Sequence, residues 1–259
     1  MNNLVIICAI LLLVLLFLKV PVYIAVLSAS AVYFIGTPGM NLSIFAQKTI
    51  SGAEGLSLLA IPFFVCAGIF MNYTGVTKRI MNCCEVLTAR MPGGLAQVNI
   101  LLSTLMGGLS GSSLADAAMQ CKMLVPTMES KGYSKSFSTV ITAASGMVVP
   151  LIPPGVGLII YGCINNISIG KLFIAGIGPG IVLCVTLMIF THFLSKKRGY
   201  LPSRTTKIPV SEKIAAVRPA FLPLLLPIII IGGVRIGVFT ASEAGTVAIV
   251  YAVLLGLLY

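Results

Sequence analysis

Glycines, serines and one aspartate interrupt an otherwise apolar segment between Pro92 and Pro126. The interrupting residues are Gly107, Gly108, Ser110, Gly111, Ser112, Ser113 and Asp116. Bare backbone, hydroxyls and a carboxylate are costly in lipid, because no water satisfies polar groups there. Free amides, carbonyls and hydroxyls at such a break are able to bind a cation or an anion. The break is therefore the first candidate binding site of the chain.

The composition indicates that lipid is the solvent of this chain. Hydrophobic residues make up 58% of the sequence, charged residues make up 9%, and the mean hydropathy is +1.08. Soluble domains carry charge on about a quarter of their residues. These values predict an all-α polytopic membrane protein embedded in a lipid bilayer.

Apolar runs close to the roughly 20 residues needed to span a bilayer predict the membrane helices. They cover residues 4–17, 22–35, 56–73, 137–164, 172–194, 220–234 and 241–259. The first run has neither the basic leader nor the cleavage site of a secretory signal, so it predicts a retained helix. Residues 42–53 are too short to cross and contain polar side chains, so they predict an amphipathic helix at the interface.

Basic residues collect in three short connections, which predicts that all three are cytoplasmic. The connections contain Lys78, Arg79 and Arg90, then Lys131 and Lys135, then Lys196, Lys197, Arg198, Arg204, Lys207, Lys213 and Arg218. Lys19 follows the first apolar run, which favours an amino terminus outside the cytoplasm and a cytoplasmic turn at Lys19. Because the connections on either side of residues 92–126 share a face, this segment is predicted to form a re-entrant helical hairpin. Arms of about a dozen residues place its tip roughly halfway through the hydrocarbon layer.

A second interruption lies within the apolar run of residues 137–164. Each proline there removes an amide donor and clashes with the preceding turn, so the helix is predicted to unwind and to free its carbonyls. The residues concerned are Ser145, Gly146, Pro150, Pro153, Pro154 and Gly155. Many secondary transporters hold a coupling cation and an anionic substrate where discontinuous helices meet. We therefore predict a joint cation and substrate site, with sodium bound at Ser110, Ser112 and Ser113.

Less specific interpretations of these residues stay open. Serine hydroxyls often return hydrogen bonds to their own helices, so the serines of the tip need not touch a ligand. Asp116 lies one turn into the second arm, where it either caps free amides or contacts an ion, and orientation of the tip is the favoured role. Gly176 and Gly180 predict a small-residue face for helix packing.

Several stretches of the sequence resemble the large membrane subunit of TRAP transporters, the DctM-like permeases. These stretches are residues 61–64, 91–94, 107–118, 152–154, 168–173 and 239–244. The resemblance runs from end to end of the chain. It implies the permease of a secondary transporter that uses sodium to import a small organic acid, such as a C4-dicarboxylate or sialic acid. It also implies two partners, a small four-helix membrane subunit and a periplasmic substrate-binding protein.

The same resemblance implies an ion-transporter-type inverted-repeat fold, of which a complete first repeat and part of a second are expected here. The first repeat is expected at residues 1–200. It consists of scaffold helices at 4–36, the interfacial helix at 42–53 and a transport part at 56–195 that contains the hairpin at 92–126. A basic loop at 201–216 and second-repeat helices at 217–259 are expected to follow. The family commonly has a serine where this chain has Gly155, so one hydroxyl ligand is expected to be missing.

Other classes of function have less support in the sequence. The net charge of +11 follows the basic connections without an aromatic surface beside them, so no nucleic-acid partner is expected. An enzyme needs a nucleophile with its base, or a metal cluster, and the cysteines show no metal-ligand spacing. We therefore expect no enzyme and no cofactor other than the coupling ion. The alternatives are an ion-coupled anion carrier that works without a binding protein and an inactive permease fragment.

Overall fold

The computed structural model describes residues 2–204 and 208–259, apart from the side chains of residues 2 and 108–110. These residues form α-helices joined by short connections, without a β-strand in the described ranges. The helices are α1 (Asn2–Phe17), α2 (Val22–Gly36), α3 (Leu42–Ala53), α4 (Ala60–Tyr73), α5 (Val76–Thr88), α6 (Gly94–Ser110), α7 (Ser113–Ser130), α8 (Lys135–Gly146), α9 (Val156–Asn165), α10 (Ile169–Lys197), α11 (Val210–Ile236) and α12 (Ala241–Leu258). A 3-10 turn, Leu56–Leu59, leads into α4. The predicted all-α class is confirmed.

Within the described part of the chain, four helical segments are long and apolar enough to cross a membrane. They are Leu56–Tyr73, Ile169–Lys197, Val210–Ile236 and Ala241–Leu258. The helices α1, α2 and α9 are apolar but shorter. The chain is therefore a multi-pass membrane protein.

The first of two compact units, Met1–Gly55, contains α1, α2 and α3. Helices α1 and α2 run antiparallel, because the side chain of Leu4 at the start of α1 lies against Gly36 at the end of α2. The ring centroids of Phe34 and Phe45 lie 5.7 Å apart and join α2 to α3. Asn41 caps α3, since its side chain accepts a hydrogen bond from the amide of Ile44 at 3.0 Å.

The second unit, Leu56–Tyr259, is held together partly by a close parallel pair of helices, α4 and α12. A Cβ on Gly245 would lie 2.8 Å from Cβ of Phe63, and a Cβ on Gly256 would collide with Thr74. The later residue of α12 contacts the later residue of α4, so the two helices run in the same direction. Small residues let the backbones approach closely, and the resulting van der Waals packing favours helix association in lipid.

Helix α5 corrects the prediction of a simple basic connection between α4 and the hairpin. Its buried residues fall on one helical face and are Val76, Thr77, Ile80, Cys83, Cys84 and Thr88. The basic side chains of the connection lie on the other side of this helix or beyond its end. The prediction followed charge alone and overlooked the apolar positions, whose spacing of three and four residues is typical of an amphipathic helix.

The three basic connections meet at one end of the second unit. A cavity of about 220 Å³ is lined by Glu85, Ala89, Lys131 and Arg204, which come from all three connections. Both ends of the hairpin also lie there. The amide of Gly93, before α6, donates to the carbonyl of Tyr200 at 3.2 Å, and the Tyr200 ring stacks on Tyr133, after α7, at 4.4 Å. We call this the basal end.

Candidate functional site

Helices α6 and α7 form an antiparallel hairpin whose turn is Gly111 and Ser112. Gly111 has a φ of +61°, a left-handed conformation that favours glycine, and its amide donates to the Gly107 carbonyl at 3.1 Å. The hydroxyl of Ser112 accepts a hydrogen bond from the amide of Ala115 at 3.4 Å and so caps α7. The side chain of Ser110 lies outside the described residues.

The arms of the hairpin are longer than predicted. Helix α6 has 17 residues and α7 has 18, whereas about a dozen each were expected. Helix α7 continues through Pro126 to Ser130. A proline inside a helix removes one amide donor and strains the preceding turn, but it does not have to end the helix. The predicted arm length of about a dozen residues is therefore wrong.

A buried polar cluster links the two arms. Ser103 of α6 donates to Oδ2 of Asp116 at 2.7 Å, and Nε2 of Gln120 donates to the same oxygen at 2.8 Å. Asp116 and Gln120 are at most 1% exposed. Asp116 thus bridges the arms and does not cap α7, which is the role of Ser112.

Two acceptor oxygens of this cluster have no hydrogen-bond donor among the described residues. They are Oδ1 of Asp116 and Oε1 of Gln120. Unpaired buried acceptors cost free energy, and a carboxylate oxygen costs more than an amide oxygen. The amino terminus of α7 lies one turn away and adds a partial positive charge on this side of the hairpin.

A second set of buried hydrogen bonds joins the hairpin to α8. The hydroxyl of Ser145 donates to Oδ1 of Asn99 at 2.7 Å, and Nδ2 of Asn99 donates to Oγ1 of Thr142 at 2.7 Å. All three side chains are fully buried. Asn99 and Ser103 lie one turn apart on α6, so this helix holds Ser145 through one residue and Asp116 through the other.

The hairpin turn lies directly against the break between α8 and α9. The amide of Val156 donates to the carbonyl of Gly111 at 3.2 Å. A Cβ on Gly111 would lie 2.9 Å from the carbonyl oxygen of Pro154, and a Cβ on Gly107 would lie 3.0 Å from Cα of Val149. The structure therefore brings the two predicted interruptions together.

The break spans residues 147–155, so Ser145 and Gly146 are the last helical residues of α8 and not part of the unwound stretch. No donor among the described residues binds the backbone carbonyls of residues 149–154. Such carbonyls are strong acceptors that need a partner when buried. At Gly155 a Cβ would collide with the Pro150 carbonyl, so the space that a larger residue needs is already filled.

Helix α10 indicates where the break lies along the fold. A Cβ on Gly180 would lie 2.5 Å from Cδ1 of Ile152, and a Cβ on Gly176 would collide with the Leu151 carbonyl. These glycines form the packing face that the sequence predicted. They are about 11–17 Å from the start of α10 and about 26–32 Å from its end, at 1.5 Å per residue. The break between α8 and α9 therefore packs beside the apolar part of α10, nearer the end of α10 that is opposite the basal end.

Most of the predicted site residues lie at this junction. Gly111 and Ser112 lie in the turn, Gly146 lies beside the Ser113 carbonyl, and the break contains Pro150, Pro153, Pro154 and Gly155. Ser145 and Asp116 are joined to α6 by their hydrogen bonds with Asn99 and Ser103. Binding of an ion or a substrate by any of these residues stays a prediction.

Sequence reasoning overlooked four polar residues of the site. They are Asn99, Ser103, Gln120 and Thr142, all fully buried. A signal was available, because Asn99 with Ser103 and Asp116 with Gln120 each lie four positions apart in apolar helices. Polar residues at that spacing share a helix face.

Comparison with known proteins identifies the family. Residues 9–259 match the family described as "Tripartite ATP-independent periplasmic transporter, DctM component". The chain belongs to this family. Its members are transporter permeases and not enzymes, which agrees with the prediction from the sequence.

Several relatives are large permease proteins of TRAP transporters. The sialic acid TRAP transporter large permease protein SiaM of Vibrio cholerae is 41% identical over 93% of this chain and 56% of its own length. The 2,3-diketo-L-gulonate protein YiaN of Escherichia coli is 41% identical over 90% of this chain and 54% of its own length. The ectoine protein TeaC of Halomonas elongata is 37% identical over 93% of this chain and 56% of its own length. The chain thus spans about half the length of these relatives.

Proposed function

We propose that this chain is the membrane permease part of a sodium-coupled tripartite secondary transporter that imports a small organic acid. The contact between the hairpin turn and the broken helix carries the proposal. There the turn at Gly111 and Ser112, which begins α7, lies against the break, whose carbonyls at residues 149–154 have no donor among the described residues. Helix ends and unwound carbonyls are the groups with which secondary transporters hold sodium and anionic substrates.

The proposed substrate and partners rest on the family. The relatives' names specify sialic acid and 2,3-diketo-L-gulonate, which are organic acids, and also ectoine. An organic acid of the dicarboxylate or sialic-acid type is the substrate class we propose. The family description is tripartite and periplasmic. We accordingly propose a small membrane subunit and a periplasmic substrate-binding protein as partners, in a bacterial inner membrane with the amino terminus in the periplasm.

Sodium binding can be tested on the chain itself by thermal unfolding in lipid nanodiscs. A cation that binds only the folded state raises the melting temperature, and sodium at tenfold its Kd stabilises by about 1.4 kcal/mol. We expect a higher melting temperature in sodium chloride than in choline chloride of equal concentration. We expect Ser112→Ala to remove most of this sodium-dependent increment.

Ser134→Ala is the matched control for this experiment. Ser134 caps α8 through the amide of Phe137 at 3.4 Å, the same distance as in the Ser112 cap, but it lies at the basal end. It should lose stability in both salts and keep the sodium increment. Equal melting temperatures of the parent chain in sodium and choline would overturn the proposal of sodium coupling at this junction.

A further inference from the structure

The amino-terminal part of α11 carries an exposed apolar stripe. Val210, Ile214, Val217 and Phe221 follow one another at spacings of four, three and four residues, so they share one helix face. Their side chains are 70%, 61%, 38% and 57% exposed. The first residue of α11 that is fully buried is Ala220. This part of the helix therefore extends beyond the packed helices of its unit.

Two cations flank the stripe. A shallow cavity of about 330 Å³ is lined by Lys213, Ile214, Val217, Arg218 and Phe221. The chain has six acidic residues, and all of them lie in the described ranges. Among the described residues, the ion pair within 4 Å is that of Glu212 with Arg204. Lys213 and Arg218 therefore have no carboxylate partner within the described chain.

The position of the two cations along α11 corresponds to the headgroup layer. Residues 219–234 carry no charge, and Arg235 lies at the other end of this apolar stretch. Arg218 and Arg235 are separated by about 25 Å at 1.5 Å per residue, which is close to the thickness of a hydrocarbon core. Lys213 lies a further turn outside. An apolar stripe that begins at headgroup level faces acyl chains as it enters the membrane.

We propose that this face of α11 binds an anionic phospholipid. The headgroup phosphate lies between Lys213 and Arg218, and an acyl chain follows Val217 and Phe221 into the membrane. Charge complementarity favours a lipid with net negative charge, because a zwitterionic headgroup supplies its own ammonium and leaves the two cations uncompensated. Basic residues at a membrane surface each attract anionic lipids measurably. The site is separate from the hairpin junction and does not depend on sodium coupling.

The absence of tryptophan from the sequence makes a direct test available. Phe221→Trp places a single tryptophan in the site. The full chain is reconstituted in vesicles of equal parts phosphatidylglycerol and phosphatidylcholine, with bromine on the acyl chains of one lipid or of the other. We expect brominated phosphatidylglycerol to quench severalfold more efficiently, since the enrichment is on the order of fivefold per basic residue. High salt should reduce the difference.

Matched variants separate charge from folding. In the Phe221→Trp background, Lys213→Gln with Arg218→Gln should make the two lipids quench equally, whereas Lys213→Arg should keep the preference. Val182→Trp is the positional control, because Val182 is 66% exposed on α10 and has no lysine or arginine within ten positions on either side. It should show no preference. Equal quenching of the Phe221→Trp chain by both brominated lipids would overturn the proposal. Absence of quenching by either lipid would also overturn it, because it would indicate that a protein partner covers this face.

Discussion

The carboxylate of Asp116 has one satisfied and one unpartnered oxygen inside the hairpin. Ser103 and Gln120 hold Oδ2, so the orientation of the group is fixed by neutral donors. The charged form of a buried carboxylate is unfavourable without a cationic partner, so a cation bound nearby would stabilise it. Coulomb's law gives about 1.7 kcal/mol for two opposite unit charges about 10 Å apart at an effective dielectric constant of about 20, which is the scale of the effect that a sodium ion at the turn would have. Asp116 therefore suits the role of electrostatic partner to a cation at the hairpin turn.

Asp116→Asn tests that role. Asparagine has nearly the same shape and keeps an acceptor for Ser103, but it removes the charge. We expect sodium affinity, measured from the sodium dependence of the melting temperature, to fall by about tenfold, which corresponds to about 1.4 kcal/mol. Ser103→Ala removes a donor and keeps the charge, so it should weaken sodium binding less. If Asp116→Asn leaves the sodium dependence unchanged, the residue only orients the tip.

At the scale of helices, an aromatic cluster fixes the base of the hairpin. Tyr200, which follows α10, lies 4.4 Å from the Tyr133 ring and 5.0 Å from the Phe137 ring. Its carbonyl accepts the amide of Gly93 at 3.2 Å. The amide of Arg204 donates to the Ala89 carbonyl at 2.9 Å and ties the same connection to the end of α5. The cluster thus holds the hairpin, α8 and the end of α10 as one body.

Truncation of Tyr200 should loosen this body. We expect Tyr200→Ala to lower the free energy of unfolding by about 2 kcal/mol, since Tyr200 is only partly buried and fully buried aromatic residues cost more. Tyr200→Phe keeps the ring contacts and loses the hydrogen bonds with Ser134, so a loss below about 1 kcal/mol is expected. Hydrogen exchange at residues 93–97 should accelerate in Tyr200→Ala. Unchanged exchange there would show that the cluster does not hold the hairpin.

At the scale of the whole second unit, the arrangement of its two ends predicts a topology. Both ends of the hairpin lie at the basal end, together with the basic connections. Asn166 follows α9 and precedes α10, so it lies at the opposite end of α10. The excess of Lys and Arg at the basal end favours the cytoplasm.

Labelling of single cysteines with a membrane-impermeant thiol reagent tests this topology. Cysteines that replace Arg90 and Lys131 should react from the cytoplasmic face, and one that replaces Asn166 should react from the periplasmic face. The partly exposed native cysteines, which are Cys8, Cys66, Cys121 and Cys163, are first changed to alanine, whereas the buried ones stay. Reaction of Arg90→Cys and Lys131→Cys from opposite faces would make residues 92–126 a crossing segment and not a re-entrant hairpin.

The positions of both helix interruptions could be predicted from the sequence, because glycine and proline act on the backbone locally. The turn at Gly111 and the break before Gly155 lie where they were expected. Predictions that depended on where a helix ends were less successful. Helix α7 continues through Pro126, and α5 replaces an expected loop, since packing against neighbouring helices stabilises helical backbone that local signals alone do not require.

The sequence by itself determined the solvent, the helical class and the family of this protein, because hydropathy and motif residues are properties of the chain alone. Only the tertiary structure decided which polar groups meet. Ser145 reaches Asn99 across 46 positions and Ser103 reaches Asp116 across 13, and no local pattern specifies these pairings. They form because buried polar groups in lipid must find partners on neighbouring helices, and the fold determines which helices are neighbours.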